Sequence, residues 1–132
     1  MNTISEMTYV DQAEEVIQRL RAKKNPRTGR AIPMVTTSKI RNLLAMTSDI
    51  YNELLNEQGS EIPDTCRERI EYLRIRVIYE AGREDSVRSF VEEAKLSEIL
   101  KEIGNNRKKY MLYSRYMEAL VAFHKFYGGR EQ

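Results

Sequence analysis

Residues 105–128 read NNRKKYMLYSRYMEALVAFHKFYG, and this stretch decides the fold of the chain. It contains six of the aromatic residues of the 132-residue sequence. Because a helix turns by about 100° per residue, positions three and four apart lie over one another. On such a helix one broad face is formed by Tyr113, Tyr116, Met117, Leu120, Val121, Phe123, His124 and Tyr127. The stretch is therefore predicted to be a long central helix.

The opposite side of this helix carries few solvated charges. It presents Arg115, Ala119, Ala122 and Phe126, with Lys108 earlier on the same side. An ordinary surface helix is charged or polar on the side that faces water. We therefore expect a second packing surface here, in which Ala119, Ala122 and Phe126 contact another protein.

Composition favours a single helical domain over residues 1–132. The chain has only six glycines and three prolines, which argues against a turn-rich β architecture. Its 22 basic and 20 acidic residues give a net charge of +2. Binding to nucleic acid must therefore come from local clusters of basic side chains rather than from overall charge.

The apolar spacing divides the rest of the chain into further helices. A helix is predicted from residue 9 to 23, a second from the hydroxyl residues 36–38 to Gly59, and a third from 62 to 82. The segment 85–104 has two apolar registers, which predicts a break near Lys95. The fold class is thus an all-α bundle of five to six helices, in which the last helix meets the apolar positions of residues 40–55.

A basic loop is predicted between the first two helices. Residues 23–35, KKNPRTGRAIPMV, contain two prolines and one glycine but no acidic residue. This flexible loop is either a solvated connector or an arm that touches phosphate groups. It lacks the spacing of a phosphate-binding P-loop.

Basic residues also cluster on the helices. Lys39 and Arg41 lie in the first turn of the second helix, where free backbone N–H groups favour anions. Arg69, Arg76 and Arg83 recur every seven residues on the third helix, beside Tyr72 and Tyr79. Arginines between tyrosines suit nucleic-acid backbones and bases. The alternative is pairing with nearby glutamates on the same helix.

The residues give little support for catalysis. One histidine and one cysteine cannot form a structural zinc site or a disulfide, so no metal or cofactor is expected. His124, on an apolar face, is interpreted as a core residue with one hydrogen bond. No leader or membrane-spanning pattern is found, so a cytoplasmic protein without membrane contact is expected.

Two function classes remain open from the residues. The first is a subunit that associates with nucleic acid, favoured by the basic clusters at 23–30, at Lys39 and Arg41, on the third helix and at 107–109. The second is a helical oligomerisation or adaptor protein without direct nucleic-acid binding, favoured by the near-zero net charge and the two-faced helices. An enzyme is a distant third.

Three segments resemble a known family. They are TTSKIRNLLAMTSDIYNEL at 36–54, YLRIRVIYEAGRE at 72–84 and, most specifically, YMEALVAFHKFYGG at 116–129. They are similar to the small helical subunit of the Csm complex, the type III-A CRISPR–Cas interference machine of bacteria and archaea. The resemblance covers most of the chain after about residue 36.

The resemblance implies an all-helical, non-catalytic subunit that lines the inner filament of an RNA-guided complex. It implies contacts with CRISPR RNA and target RNA, largely through phosphates and sugars, and with the backbone and large subunits or neighbouring copies of the chain. The expected RNA-binding residues are Lys39, Arg41, Arg69, Arg76, Arg107, Lys108 and Arg115. The expected protein-interface residues are Tyr72, Tyr79, Ala119, Ala122 and Phe126.

Overall fold

The computed structural model describes residues 3–31 and 33–128, and within these ranges the protein consists of six α-helices. They are α1 (Tyr9–Ala22), α2 (Thr37–Leu55), α3 (Asp64–Arg83), α4 (Asp85–Ala94), α5 (Leu96–Ile103) and α6 (Arg107–Phe126). The predicted all-α bundle is confirmed. The two ends of the predicted domain, 1–132, and Gly129 of the C-terminal motif lie outside the described residues.

The central helix is α6, which packs against α1, α2 and α5. The side chains that it buries are Tyr110, Tyr113, Ser114, Tyr116, Met117, Leu120 and His124. Tyr110 and Ser114 were not placed on the apolar face from the sequence. Val121, Phe123 and Tyr127 were placed there but are only partly buried, because they lie at the edges of that face.

Hydrogen bonds fix α6 against three neighbours. The Tyr110 hydroxyl donates to the carbonyl oxygen of Thr47 in α2 over 2.7 Å. The Tyr116 hydroxyl donates to the carbonyl oxygen of Ala94 in α4 over 2.9 Å. The Tyr127 hydroxyl, one residue after α6, donates to Glu14 of α1 over 2.6 Å, because α6 also packs along α1.

The start of α2 was predicted correctly and its end was not. The Thr36 side chain accepts a hydrogen bond from the Lys39 backbone, so a threonine hydroxyl caps the helix as expected. The C-cap is Asn56 rather than Gly59. Gly59, with φ of +103°, lies in the bend that leads to α3, where its positive φ serves a loop and not a helix end.

The predicted break at Lys95 is present. Lys95 has φ of 58° and ψ of 39°, a left-handed conformation that is unusual for a residue with a Cβ atom. It ends α4 and immediately precedes α5. The turn changes the direction of the chain, so both apolar registers of the segment 85–104 face the core. The buried residues of the two registers are Val87, Phe90, Val91, Ala94, Leu96, Ile99, Leu100 and Ile103.

Helix α3 is apolar on two sides. Its inner side buries Cys66, Ile70, Leu73, Val77 and Ala81. Its outer side exposes Tyr72, Ile75, Ile78 and Tyr79, each by more than half of its surface. We call these four residues the outer α3 surface. The inner side holds the helix in the bundle, and the outer side is left facing water.

Candidate nucleic-acid interface

A groove runs between α2 and α3, and it contains three of the predicted RNA-binding residues. Its floor is formed by Met46, Ile50 and Leu73, and Arg69 and Arg76 line its sides. Met46 and Arg76 also line the adjoining stretch of the groove, which ends at Lys39 and Arg83. The register of α2 against α3 thus brings Lys39, Arg69 and Arg76 to one surface, which we call the α2–α3 groove.

The cations of the α2–α3 groove already have carboxylate partners. The Lys39 ammonium forms an ion pair with Glu84, and the Arg69 guanidinium pairs with Glu53 of α2. Both pairs are partly exposed, so each contributes at most about 1 kcal/mol to stability. These partners lie 45 and 16 residues away in sequence. The sequence therefore did not indicate them.

The arginines on α3 pair along the helix, which is the alternative considered from the sequence. Arg76 Nη2 lies 2.8 Å from Glu80 Oε2, and Arg83 Nη1 lies 3.5 Å from Glu80 Oε1. Both guanidinium groups also lie over the Tyr79 ring, at 5.1 and 5.6 Å from its centre. Glu80 and Tyr79 therefore hold the two arginines in place at the edge of the groove.

Arg107 is also engaged within the chain. Its Nη1 atom donates to the carbonyl oxygen of Glu57, in the connection after α2. A backbone bond from Arg107 N to the Ser60 carbonyl, at 3.1 Å, ties the start of α6 to the same connection. Arg107 thus stabilises this loop and lies outside the α2–α3 groove.

Arg41, Lys108 and Arg115 differ from the other four predicted RNA-binding residues. All three are exposed, and none of their side chains forms a hydrogen bond or ion pair with any residue in the ranges 3–31 and 33–128. They are not among the side chains that line the α2–α3 groove. The seven predicted residues therefore fall into two groups, one with internal partners and one without.

The predicted protein-interface residues lie on two surfaces. Tyr72 and Tyr79 belong to the outer α3 surface. On α6, Phe126 is 77% exposed, Ala122 is exposed and Ala119 is half-buried. Ile78 of the outer α3 surface was missed from the sequence. Its position three residues after Ile75 was the available signal.

Burial favours the neutral forms of three tyrosines and of the cysteine. Burial raises the pKa values of Tyr110, Tyr113 and Tyr116 well above the usual range of a phenol. Burial, aided by Glu53, also raises the pKa of the Cys66 thiol. A thiol is nucleophilic only as the thiolate, so Cys66 packs as a small apolar side chain.

His124 is a buried core residue with one hydrogen bond. Its Nε2 atom lies 2.7 Å from the carbonyl oxygen of Val35, and the ring is buried. Within the described part of the chain no group of three or more His, Cys, Asp or Glu residues has the arrangement of a metal site. None of the described helices is both long and apolar enough to cross a bilayer.

The fold and its surfaces define a class: a small all-α protein whose distinctive features are a core of tyrosines and two outward-facing helix surfaces. Comparison with known proteins assigns the family. The sequence model of the type III-A Csm2 family matches residues 10–130. The chain belongs to that family.

Relatives in three bacteria support the assignment over nearly the whole chain, and each carries the name "CRISPR system Cms protein Csm2". The Streptococcus thermophilus protein is 37% identical over 131 residues, which cover 99% of this chain and all of the relative. The Mycobacterium tuberculosis protein is 41% identical over 118 residues, 89% of this chain and 90% of the relative. The Enterococcus italicus protein is 33% identical over 127 residues, 92% and 91% respectively.

Proposed function

We propose that this protein is the non-catalytic small subunit of a type III-A Csm complex, an RNA-guided interference machine that acts in the cytoplasm in antiviral defence. In this role it lines the inner filament and helps to hold the duplex of CRISPR RNA and target RNA. The observation that carries the proposal is membership of the type III-A Csm2 family over residues 10–130. In RNA-guided systems base pairing between guide and target reads the sequence, and the protein recognises the shape and the backbone of the duplex.

The seven predicted basic residues contact RNA in two ways. Arg41, Lys108 and Arg115 are exposed and need give up no internal partner to meet a phosphate. Lys39, Arg69, Arg76 and Arg107 must exchange a carboxylate or carbonyl oxygen for the RNA. The first group therefore contributes more to affinity per residue than the second.

The protein contacts are made by the two outward-facing helix surfaces. Tyr72 and Tyr79 on α3, and Ala119, Ala122 and Phe126 on α6, meet the backbone and large subunits or neighbouring copies of the chain. Exposed tyrosine, isoleucine and phenylalanine side chains gain free energy when a partner removes them from water. Tyrosine is also enriched at protein interfaces.

Salt titration of RNA binding tests the RNA contacts. The full chain is titrated against a labelled RNA duplex, first as wild type and then with Arg41, Lys108 and Arg115 changed to alanine. The triple variant is expected to bind more weakly and with a smaller salt dependence, because each phosphate contact releases counterions. A charge-matched control changes Arg67, Arg88 and Lys101, which are exposed and lie outside the predicted set. If both triple variants bind RNA equally well, Arg41, Lys108 and Arg115 are not RNA contacts.

The second candidate is a helical adaptor without direct RNA binding, and the internal pairing of Lys39, Arg69, Arg76 and Arg107 favours it. Co-expression with the backbone and large subunits and a guide RNA separates the two. The adaptor predicts co-purification with the other subunits but no RNA affinity of the isolated chain. Failure to co-purify with such a ribonucleoprotein contradicts the proposed function itself.

A further inference from the structure

The connection between α1 and α2 contains an ordered turn, residues 24–31, which we call the basic turn. A bridge joins Lys24 to Ala31, and the Asn25 N–H donates to the Arg30 carbonyl over 2.8 Å. The Gly29 N–H donates to the Asn25 carbonyl over 2.8 Å, and Gly29 has φ of +70°. The expected flexible loop is thus a closed turn at its centre.

Side chains within the basic turn hold its backbone. The Asn25 side-chain oxygen accepts a hydrogen bond from the Arg27 N–H at 2.8 Å. The Thr28 hydroxyl accepts one from the Arg30 N–H at 3.2 Å. These contacts fix the backbone at both arginines, so less conformational entropy is lost when the turn binds a ligand.

The basic turn lies in a strongly positive part of the sequence. Residues 16–48 contain eight basic residues and no acidic residue, whereas the rest of the chain contains 14 basic and 20 acidic residues. The net charge of +2 therefore conceals an uneven distribution. A local excess of this kind attracts polyanions even when the whole protein is nearly neutral.

The basic residues that flank the turn have partners within the protein. Arg19 Nε lies 2.7 Å from Glu93 Oε1 of α4, and Lys23 Nζ lies 3.7 Å from Glu93 Oε2. The Arg21 guanidinium lies over the Tyr127 ring, 5.0 Å from its centre. These contacts anchor the end of α1 and the base of the turn to α4 and to the end of α6.

The three cations of the turn itself have no such partners. Lys24, Arg27 and Arg30 are exposed, and their side chains form no hydrogen bond, ion pair or ring contact with the part of the chain that the structure describes. Every other residue of the turn is also exposed, and none is aromatic. The turn therefore offers positive charge without an apolar or stacking surface.

We propose that the basic turn is a binding site for the phosphate backbone of RNA, with Lys24, Arg27 and Arg30 as its contacts. The proposal rests on the proposed function, and it adds a site on a different element from the α2–α3 groove and from α6. Three unpaired cations on a pre-formed turn suit a repeating anion. The lack of aromatic residues suits recognition without base reading, since bases are bound by stacking on aromatic planes.

The test uses the full chain with Lys24, Arg27 and Arg30 changed to glutamine. Asn25, Thr28 and Gly29 remain, so the turn is preserved. Binding of a labelled RNA duplex is measured between about 50 and 200 mM salt, a range over which counterion release dominates affinity. We expect binding at low salt to weaken by at least about tenfold, and the slope of log affinity against log salt to fall by about 2.7, about 0.9 for each of the three lost phosphate contacts.

A charge-matched control separates the site from general electrostatics. Arg67→Gln, Arg88→Gln and Lys101→Gln remove the same charge from exposed positions on α3, α4 and α5. A second variant, R27K/R30K, keeps the charge and is expected to retain most of the binding. If the turn variant loses no more affinity than the charge-matched control, the proposal is overturned.

The outcomes distinguish this proposal from the proposed function. A wild-type chain that binds RNA, together with a turn variant that behaves like the control, contradicts only the site on the basic turn. A wild-type chain that binds no RNA, alone or in a co-purified complex, contradicts both. A polyglutamate peptide serves as the probe for an acidic protein partner. If the turn variant loses peptide binding and keeps RNA binding, the turn docks protein and the RNA proposal is wrong.

Discussion

The Nε2 atom of His124 lies 2.7 Å from the carbonyl oxygen of Val35, and this contact joins the last turn of α6 to the segment just before α2. Both residues are 1% exposed. A carbonyl oxygen only accepts, so Nε2 donates the hydrogen of this bond. Within the described residues, Nδ1 is buried without a partner. The imidazole is a packing side chain with one hydrogen bond, as its apolar surroundings in sequence indicated.

His124→Ala is expected to lower the free energy of unfolding by about 2–4 kcal/mol, because it leaves a cavity and an unpaired carbonyl. Urea unfolding followed by circular dichroism measures the change. Phe126→Ala is the control on the same helix, since Phe126 is 77% exposed and its loss should cost less than about 1 kcal/mol. Equal effects of the two substitutions contradict the structural role of His124.

The sequence was sufficient for the helices because their apolar spacing is regular. The Lys95 break followed from two registers that one straight helix could not bury together. Gly59 was misplaced because a glycine after a helix can serve its C-cap or the following loop, and only the path of the chain decides between them. In the same way, only the packing of α6 beside α1 decides that Tyr127 contacts α1.

The internal partners of the basic residues in the candidate site could be predicted only in part, for a physical reason. Arg76 and Arg83 pair with Glu80, which lies on the same helix within four residues of each. Helical spacing alone could therefore indicate these pairs. The partners of Lys39 and Arg69 depend on how α2 packs beside α3, and nothing in the local sequence specifies that packing. Sequence clustering finds basic residues, but only the folded chain distinguishes cations with internal partners from cations without them.

Alkaline pH is expected to destabilise the protein. An unfolded tyrosine titrates near pH 10, and burial raises the folded-state pKa values of Tyr110, Tyr113 and Tyr116 above that. When the pKa of a group is higher in the folded state than in the unfolded state, its contribution to the free energy of unfolding is complete below the unfolded-state pKa. That contribution is lost as the pH rises above the unfolded-state pKa. Between pH 8 and 10.5 each of the three residues should cost about 0.8 kcal/mol.

Urea midpoints at pH 8, 9.5 and 10.5 check this pH dependence. The double variant Y110F/Y116F should be less stable at pH 8 by about 2 kcal/mol, because two buried hydrogen bonds are lost. It should also have a shallower fall in stability towards pH 10.5, because two of the three buried phenols no longer titrate. A fall of unchanged steepness in the double variant would show that other groups cause the alkaline loss.

Removing an internal carboxylate partner is expected to strengthen RNA binding. Glu84→Gln releases Lys39, and Glu53→Gln releases Arg69. A partly exposed ion pair is worth about 0.2–1 kcal/mol, so each variant should bind an RNA duplex about 1.5- to 5-fold more tightly. Fluorescence anisotropy at fixed salt measures the change.

Glu118→Gln is the matched control for these two variants. Glu118 is exposed on α6, has no ion-pair partner among the described residues, and gives the same change in net charge. If Glu84→Gln and Glu53→Gln gain no more affinity than Glu118→Gln, then Lys39 and Arg69 do not contact RNA.

Lys95→Gly is expected to stabilise the protein, because glycine adopts the left-handed conformation of this position without a steric cost. A residue with a Cβ atom loses about 1–2 kcal/mol there. The greater freedom of glycine in the unfolded chain offsets part of the gain, which leaves about 0.5 kcal/mol. Lys101→Gly makes the same change at an exposed position inside α5, and it should cost about 1 kcal/mol. Thermal unfolding of both variants gives opposite signs if Lys95 is the strained turn between α4 and α5. A loss of stability in both would place Lys95 in an ordinary helical conformation.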